Sequence, residues 1–83
     1  MAQISLETTS DQSSEEIIAQ AKKAFHEDYG LNVTEEADCC IRMEGGGGFV
    51  TIRTEPKDKH TKVILEGREW TRQLKDFMKK IAS

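Results

Sequence analysis

The fold is decided by residues 37–66, ADCCIRMEGGGGFVTIRTEPKDKHTKVILE. Two segments of alternating apolar and polar residues meet at the four glycines at positions 45–48, and a third segment follows Pro56. Such alternation is typical of β-strands with one buried face. The stretch therefore predicts a three-stranded antiparallel meander, covered on one face by a helical segment from each side. The expected fold class is α+β, in the order α-β-β-β-α.

The register of the first hairpin follows from its glycines. Gly46 and Gly47 suit a two-residue turn that requires positive φ, and this turn places Ile41 opposite Ile52. A slip by one residue would put these two isoleucines on opposite faces, so the buried face selects the pairing. The apolar face then has Cys39, Ile41, Met43, Val50 and Ile52. The other face has Asp38, Cys40, Arg42, Thr51, Arg53 and Glu55.

A third strand is expected at about residues 61–66, after a turn on residues 56–59. Pro56 suits the turn because it cannot donate a ladder hydrogen bond. The side chains of this strand divide between the two faces, with Val63 and Leu65 on the apolar face and Lys62 and Ile64 on the outer face. The register places Arg53 opposite Lys62, and like charges in that position destabilise a sheet unless an anion offsets them.

The flanking segments have helical patterns. Ser13 and Glu16 form a capping box that predicts a helix start, and Gly30 predicts the end of this first helix. A second helix is expected over about residues 68–82. Its apolar positions recur at helical spacing and form one stripe, made of Trp70, Leu74, Phe77 and Ile81. The tryptophan is expected to anchor this helix to the sheet.

The N-terminal segment has two interpretations. Ile4 and Leu6 alternate with polar residues, which favours a short edge strand beside the meander, and a flexible segment is the alternative. We assign residues 1–12 to this segment and residues 13–83 to a single α+β domain. Residues 31–36 are expected to form a connector that is partly helical.

The chain of 83 residues has the size of a single small domain. No apolar run approaches the roughly 20 residues of a membrane-spanning helix, and the polar N-terminus has no signal-peptide core. We therefore expect a cytoplasmic protein without membrane contact. The net charge of −3 is unevenly distributed, because residues 1–38 include nine acidic and two basic residues, whereas residues 39–83 include six acidic and ten basic residues. Such asymmetry favours either a basic binding face or two segments that attract each other.

The sequence has no motif typical of catalysis. The glycine run is followed by a strand, and it lacks the Gly-Lys-Ser or Gly-Lys-Thr of a phosphate-binding loop. His26 and His60 are isolated from any nucleophile motif. We expect no enzymatic activity and no cofactor.

Cys39 and Cys40 are adjacent, and neighbouring residues of a strand point to opposite faces. Two thiolates in that arrangement do not reach one ion, so no metal site is expected. We expect Cys39 in the core. Cys40 would be exposed beside Arg42 and Arg53, two cations that favour a thiolate, so a thiol-dependent redox protein using Cys40 is one alternative function.

The outer face of the sheet is the leading candidate for binding. It combines cations, an aromatic ring and an aliphatic side chain in Arg42, Phe49, Thr51, Arg53, Lys62 and Ile64. This composition suits a protein partner, and we expect a non-catalytic binding or adaptor module that uses this face and the glycine tip. A nucleic-acid-binding module that uses the same cations is the other alternative. Self-association through this face is a further variant, so the expected state is a monomer or a weak homodimer.

The order of helix, three antiparallel strands and helix over residues 13–82 resembles that of double-stranded-RNA-binding domains. The resemblance is one of topology. It implies RNA contacts at the start of the last helix, where those domains have a lysine cluster. At the corresponding position this chain reads GREWTR, over residues 67–72.

Overall fold

The chain folds into one antiparallel sheet with helices on one of its faces. The computed structural model describes residues 3–82, so residues 1, 2 and 83 of the two predicted segments lie outside the described residues. The strands are β1 (Gln3–Ser10), β2 (Asn32–Glu36), β3 (Cys40–Gly45), β4 (Gly48–Pro56) and β5 (Thr61–Arg68), and the helices are α1 (Ser14–Ala21) and α2 (Thr71–Ile81). The sheet order is β1-β5-β4-β3-β2. The α+β class and the N-terminal edge strand are confirmed.

The predicted register of the first hairpin is confirmed. Ile41 of β3 lies opposite Ile52 of β4. The turn residues Gly46 and Gly47 have φ of 59° and 84°, which a two-residue turn of this kind requires. The inward-facing residues of the two strands are buried, namely Ile41, Met43, Val50 and Ile52. The pattern of these two strands was therefore sufficient to determine their pairing.

The register of the second hairpin differs from the prediction by two residues. Arg53 lies opposite Ile64, and Lys62 lies opposite Glu55, so the predicted pairing of Arg53 with Lys62 is wrong. A shift of two residues leaves every side chain on its predicted face, because side chains alternate with a period of two. The hydrophobic pattern of β5 therefore determined which of its side chains face the core. It did not determine which residues of β4 lie opposite them.

The turn between β4 and β5 explains this shift. Pro56 pairs with Thr61, so the turn begins one residue later than predicted. The backbone N–H of Lys57 donates to the carbonyl oxygen of His60 (2.8 Å) and closes the turn. Pro56 thus occupies the last position of β4 rather than the first position of the turn.

Strand β2 corrects the expectation of a connector over residues 31–36. It pairs antiparallel with β3, and the register shifts between Val33 and Glu35, so that Thr34 is an extra residue. A bulge of this kind breaks the alternation by which a strand is identified in a sequence. The sheet therefore has five strands, where the sequence predicted three and an N-terminal edge strand.

The capping box of α1 is confirmed. The Glu16 backbone N–H donates to Ser13 Oγ (3.2 Å), and the Ser13 backbone N–H donates to Glu16 Oε1 (3.1 Å). The helix then widens into π-helical turns over Lys22–Asp28. Gly30, with φ of 79°, ends the helical segment as predicted, and Leu31 turns back into the core.

The core lies between the helices and the inner face of the sheet. Its fully or almost fully buried members come from all layers of the fold, and include Ile17, Phe25, Leu31, Ile41, Met43, Ile52, Leu65, Leu74, Phe77 and Ile81. The Phe25 and Phe77 rings meet edge to face with centroids 5.7 Å apart, which joins the two helical segments. Both helices therefore stabilise the same face of the sheet.

α2 starts at Thr71, three residues later than predicted. β5 extends to Arg68, and Glu69 turns the chain with a φ of 73°. Trp70 links this corner to the hairpin tip, because its Nε1–H donates to the Gly45 carbonyl oxygen (2.9 Å). The prediction that the tryptophan anchors the helix to the sheet is consistent with this contact.

The glycine run accommodates the same corner. A Cβ at Gly46 would lie 2.8 Å from the Trp70 ring, and a Cβ at Gly48 would overlap the Arg68 carbonyl oxygen. Two of the glycines therefore form the turn, and Gly48 allows the backbone after β5 to pass close to the hairpin. This contact explains why the run is longer than a two-residue turn requires.

We predict that Gly48→Ala destabilises the fold by about 3 kcal/mol or more, because the overlapping atom is a backbone oxygen that cannot rotate away. The matched control is Gly47→Ala, where a Cβ meets no atom within 4 Å and only the positive φ is unfavourable. The control should lose about 1 kcal/mol. Urea denaturation of both variants measures the difference, and equal losses would contradict the proposed contact.

Candidate interaction site on the outer face of the sheet

The sheet face opposite the helices is uncovered. Strand alternation places all six predicted binding residues on it, namely Arg42, Phe49, Thr51, Arg53, Lys62 and Ile64. Arg68 is a further cation on this face, and it was missed because it was assigned to the second helix. The continued alternation of Lys62, Ile64 and Glu66 was the pattern that could have placed it in β5.

Arg42 lies on β3, the strand next to the β2 edge, and is held by three side chains. Its guanidinium carbon is 4.4 Å from the centroid of the Phe49 ring. Its Nε donates to Glu44 Oε2 (3.2 Å), and one terminal nitrogen donates to Thr51 Oγ1 (3.4 Å). The side chain is 36% exposed. Arg42 is therefore an oriented, partly exposed cation stacked on an aromatic ring.

Two open depressions flank Arg42. The first has a volume of about 410 Å³ and is lined by residues that include Glu35, Cys40, Arg42 and Thr51. The second has a volume of about 360 Å³ and is lined by residues that include Arg42, Glu44, Phe49 and Arg68. Small-molecule sites are mostly apolar and bury their ligand. The charged linings of these depressions favour a macromolecular surface over a small ligand.

Arg53 is the most accessible of the predicted cations. It is exposed, and it forms no ion pair within 4.0 Å in the described part of the chain. Its cross-strand neighbours are Cys40 on one side and Ile64 on the other. The structure therefore brings a free guanidinium next to an aliphatic side chain and a cysteine.

Lys62 lies apart from this group. Its Nζ is 3.7 Å from Glu7 Oε2, and its cross-strand neighbour on β4 is Glu55. Among the described residues, the ammonium group therefore has one carboxylate within 4 Å, that of Glu7. The argument that an anion must offset an Arg53–Lys62 pair does not apply, since the two cations are not opposite each other.

The outer face has no net positive charge. Its cations are Arg42, Arg53, Lys62 and Arg68, and its acidic residues are Glu7, Glu35, Glu44, Glu55 and Glu66. Acidic and basic side chains are interspersed on this face, and Glu35 lies opposite Arg42 as Glu55 lies opposite Lys62. An extended basic surface of the kind that attracts phosphate backbones is absent from this face over residues 3–82.

The apolar residues of the face are only partly accessible. Phe49 and Ile64 are both half-buried, and the Arg42 guanidinium lies over the Phe49 ring. Tyr29, at 49% exposure, is the only large hydrophobic residue within 3–82 that is exposed, and its ring contacts Trp70 with centroids 5.7 Å apart. The outer face therefore offers small apolar contacts between charges rather than one broad apolar patch.

Cys39 and Cys40 form a disulfide with each other, and both cysteines of the sequence are thereby bonded. The expectation of a buried Cys39 and a free Cys40 thiol is wrong. Cys39 is exposed and Cys40 is half-buried. The sequence analysis placed both cysteines in a strand and therefore did not predict this disulfide, which lies at the edge of the candidate site.

The position of a turn explains the disulfide. Ala37 and Cys40 exchange backbone hydrogen bonds of 2.8 and 3.3 Å, so Cys39 lies in the turn between β2 and β3. Side chains of a turn do not alternate as those of a strand do, and the two sulfurs can meet. Thr54 further holds the turn, because its backbone N–H and its hydroxyl both donate to the Cys39 carbonyl oxygen (2.8 and 2.9 Å).

Within residues 3–82, no group of three or more His, Cys, Asp or Glu side chains is arranged to hold a metal ion. None of the described helices is long and apolar enough to cross a membrane. No protein-family model matches the sequence, and no curated protein matches it at a significant level. Functional inference therefore depends on the geometry of the outer face.

We predict an energetic coupling between Arg42 and Phe49, since the guanidinium lies over the ring. A double-mutant cycle with Arg42→Gln and Phe49→Leu should give a coupling of about 0.5–1 kcal/mol in the free energy of unfolding. Urea denaturation of the wild type, the two single variants and the double variant measures it. Losses that add up without a residual coupling would show that the stacking contributes nothing in solution.

Proposed function

We propose that this domain is a non-catalytic binding module that contacts a protein partner through the outer sheet face. The observation that supports the proposal is Arg42, which is stacked on Phe49 and hydrogen-bonded to Thr51 on the uncovered face of the sheet. Arginine and aromatic residues dominate the energetics of protein interfaces. An arginine that is already oriented loses little conformational entropy when a partner binds.

The surface also indicates the chemistry of the partner. Arg53 is exposed and without an ion pair in the described residues, so it is available to a carboxylate of a partner. Ile64 lies beside it and can contact an apolar side chain. The depressions on either side of Arg42 can accept side chains that project from the partner. The complementary surface would therefore alternate acidic and apolar groups.

A protein partner is favoured over a nucleic acid by the charge distribution. The outer face has carboxylates as well as cations, and two of its cations form ion pairs, Arg42 with Glu44 and Lys62 with Glu7. Binding to a phosphate backbone depends on a concentration of unpaired cations. A mixed surface instead provides the matched positive and negative groups that give protein interfaces their specificity.

We predict that Arg53→Glu reduces partner binding at least tenfold, because it removes an exposed, unpaired cation and repels a carboxylate. The matched control is Arg72→Glu, which makes the same charge change at an exposed position on α2, in the opposite layer. Immobilised wild type and variants, incubated with a cell lysate and analysed by quantitative mass spectrometry, identify proteins lost with Arg53→Glu and retained with Arg72→Glu.

Two outcomes would contradict this prediction. If every captured protein bound the Arg53→Glu variant as well as the wild type, the outer face would not be the contact surface. If short single-stranded DNA or RNA bound instead, with an affinity that fell steeply between about 50 and 200 mM salt, the nucleic-acid alternative would replace the protein partner.

The disulfide favours a second candidate function, thiol–disulfide exchange. Cys39 is exposed, and Cys40 lines a depression and has Arg53 as its cross-strand neighbour. A thiolate of a dithiol reductant would attack Cys39 Sγ, and the Cys40 thiolate would leave beside a cation. The second thiol of the reductant would then attack the mixed disulfide and release the Cys39 thiolate. One dithiol is oxidised to a disulfide as the protein disulfide is reduced.

We predict that dithiothreitol reduces this disulfide with little loss of stability. The bond joins adjacent residues, so it closes the smallest possible loop and restricts the unfolded chain very little. Thr54 and the exchange between Ala37 and Cys40 hold the turn independently of it. The melting temperature should fall by less than about 3 °C.

The chemistry can be followed by alkylation and mass spectrometry. The denatured protein should take up iodoacetamide at neither cysteine before reduction and at both after it. Cys39→Ser should lose the capacity to oxidise a stoichiometric amount of dithiothreitol, whereas Thr54→Val, which keeps both cysteines, should retain it. Two alkylated cysteines in the untreated protein would remove the basis for this candidate function.

A further inference from the structure

The two edges of the sheet are different. At the β2 edge the strand is short, has a bulge at Thr34, and exposes the carboxylates of Glu35 and Glu36. Bulges and charged residues are features that prevent an edge strand from pairing with another chain. The β1 edge has eight residues, pairs with β5 without a register shift, and has Glu7 as its one charged side chain. This edge therefore has a pairing surface with little protection.

The backbone groups that point away from the sheet can be identified from the first hairpin. Gly45 and Gly48 flank a two-residue turn and form a hydrogen-bonded pair. Along each strand, successive residues direct their backbone N–H and C=O groups to opposite sides. The strand pairs from β3 to β1 have no register shift, so the Gly45–Gly48 pair determines which residues of β1 direct these groups away from the sheet. The residues whose N–H and C=O groups face outward include Gln3, Ser5 and Glu7. None of these three makes a backbone hydrogen bond outside the ladder within residues 3–82.

We propose that a second copy of this chain pairs its β1 antiparallel with this edge, about a two-fold axis at Leu6. The two sheets would then continue into one another. Leu6 lies opposite Leu6 of the second copy, and Ser5 lies opposite Glu7 of the second copy. The two-fold axis generates the Ser5–Glu7 pair twice, and each Ser5–Glu7 pair exchanges two backbone hydrogen bonds.

Symmetry and charge select this register. A two-fold axis that makes the two β1 strands antiparallel is perpendicular to the sheet, so the helix-covered faces of both copies lie on the same side. Residues that lie opposite each other must then have side chains on the same face. This requires that one residue of β1 lies opposite itself in the second copy. A centre at Glu7 would place the two Glu7 carboxylates opposite each other, which destabilises a sheet. A centre at Ser5 would leave Glu7 opposite Gln3 and shorten the paired segment. The centre at Leu6 avoids like charges and pairs most of β1.

The inner side of β1 also favours a second copy as the occupant. Ile4 and Leu6 contact the core, and both remain only partly buried at this edge. In the Leu6-centred register, Leu6 of each copy covers the other on the helix-covered side, and Ile4 lies opposite Thr8 of the second copy. The same pairing therefore completes the backbone ladder and the burial of these two residues.

Charge variants at Ser5 test both the pairing and its register. Sedimentation of the wild type from micromolar concentrations to about 1 mM should show a reversible dimer. Ser5→Glu places a new carboxylate opposite Glu7 in each of the two symmetry-related pairs, so it should weaken the dimer about tenfold. Ser5→Lys should instead strengthen the dimer several-fold. The double variant Ser5→Glu, Glu7→Lys restores opposite charges and should dimerise at least as tightly as the wild type. Urea denaturation confirms that each variant is folded, because Ser5 also lies beside Glu66.

Three results would overturn the proposal. The first is a wild type that remains monomeric up to about 1 mM. The second is a dimer with the same dissociation constant in Ser5→Glu and Ser5→Lys. The third is a dimer that Arg53→Glu weakens while the Ser5 variants do not, which would assign self-association to the outer face. Recovery in the charge-reversed double variant separates the proposed register from a general effect on folding.

Discussion

The structure depends on the pairing register of β3 with β4. Because the turn at Gly46 and Gly47 has only two residues, it leaves one way for the strands to align, and that alignment puts Ile41 and Ile52 on the same face. Once this face is apolar, both helices must cover it to remove it from water. The opposite face is left free of helices, which is why Arg42 and Arg53 lie on an uncovered surface.

The contact between the hairpin tip and the start of α2 is the second constraint. Gly48 has no side chain to obstruct the Arg68 carbonyl, and the Trp70 indole donates a hydrogen bond to Gly45. These contacts place the chain reversal at Glu69, where the backbone adopts a positive φ. The direction of α2 over the sheet is thereby coupled to the hairpin. The glycine tip therefore packs against the start of α2 through Gly46 and Gly48.

Charged side chains of the outer face form ion pairs and do not make up one extended region of a single charge. Arg42 is held by Glu44 and lies over Phe49, and Lys62 lies near Glu7, so these side chains have preferred orientations before any partner binds. Exposed ion pairs of this kind contribute little to stability. Their effect is to define a pattern of charge and small apolar contacts, in which Arg53 and Arg68 are exposed cations without an ion pair among residues 3–82. Such a pattern supports our proposal of a protein partner over a nucleic acid.

The sequence by itself determined the α+β class, the first hairpin, the capping box of α1, the stripe of α2 and the faces on which the six candidate residues lie. These features follow from periodicity and from local backbone requirements, which a short segment expresses without its neighbours. Only the tertiary structure decided the register of β5, the strand β2 and the Cys39–Cys40 disulfide. A shift of two residues preserves every face, a bulge removes the alternation of β2, and a turn rather than a strand at Cys39 brings the sulfurs together. Each of these depends on contacts between segments, and those contacts form only when the sheet is assembled.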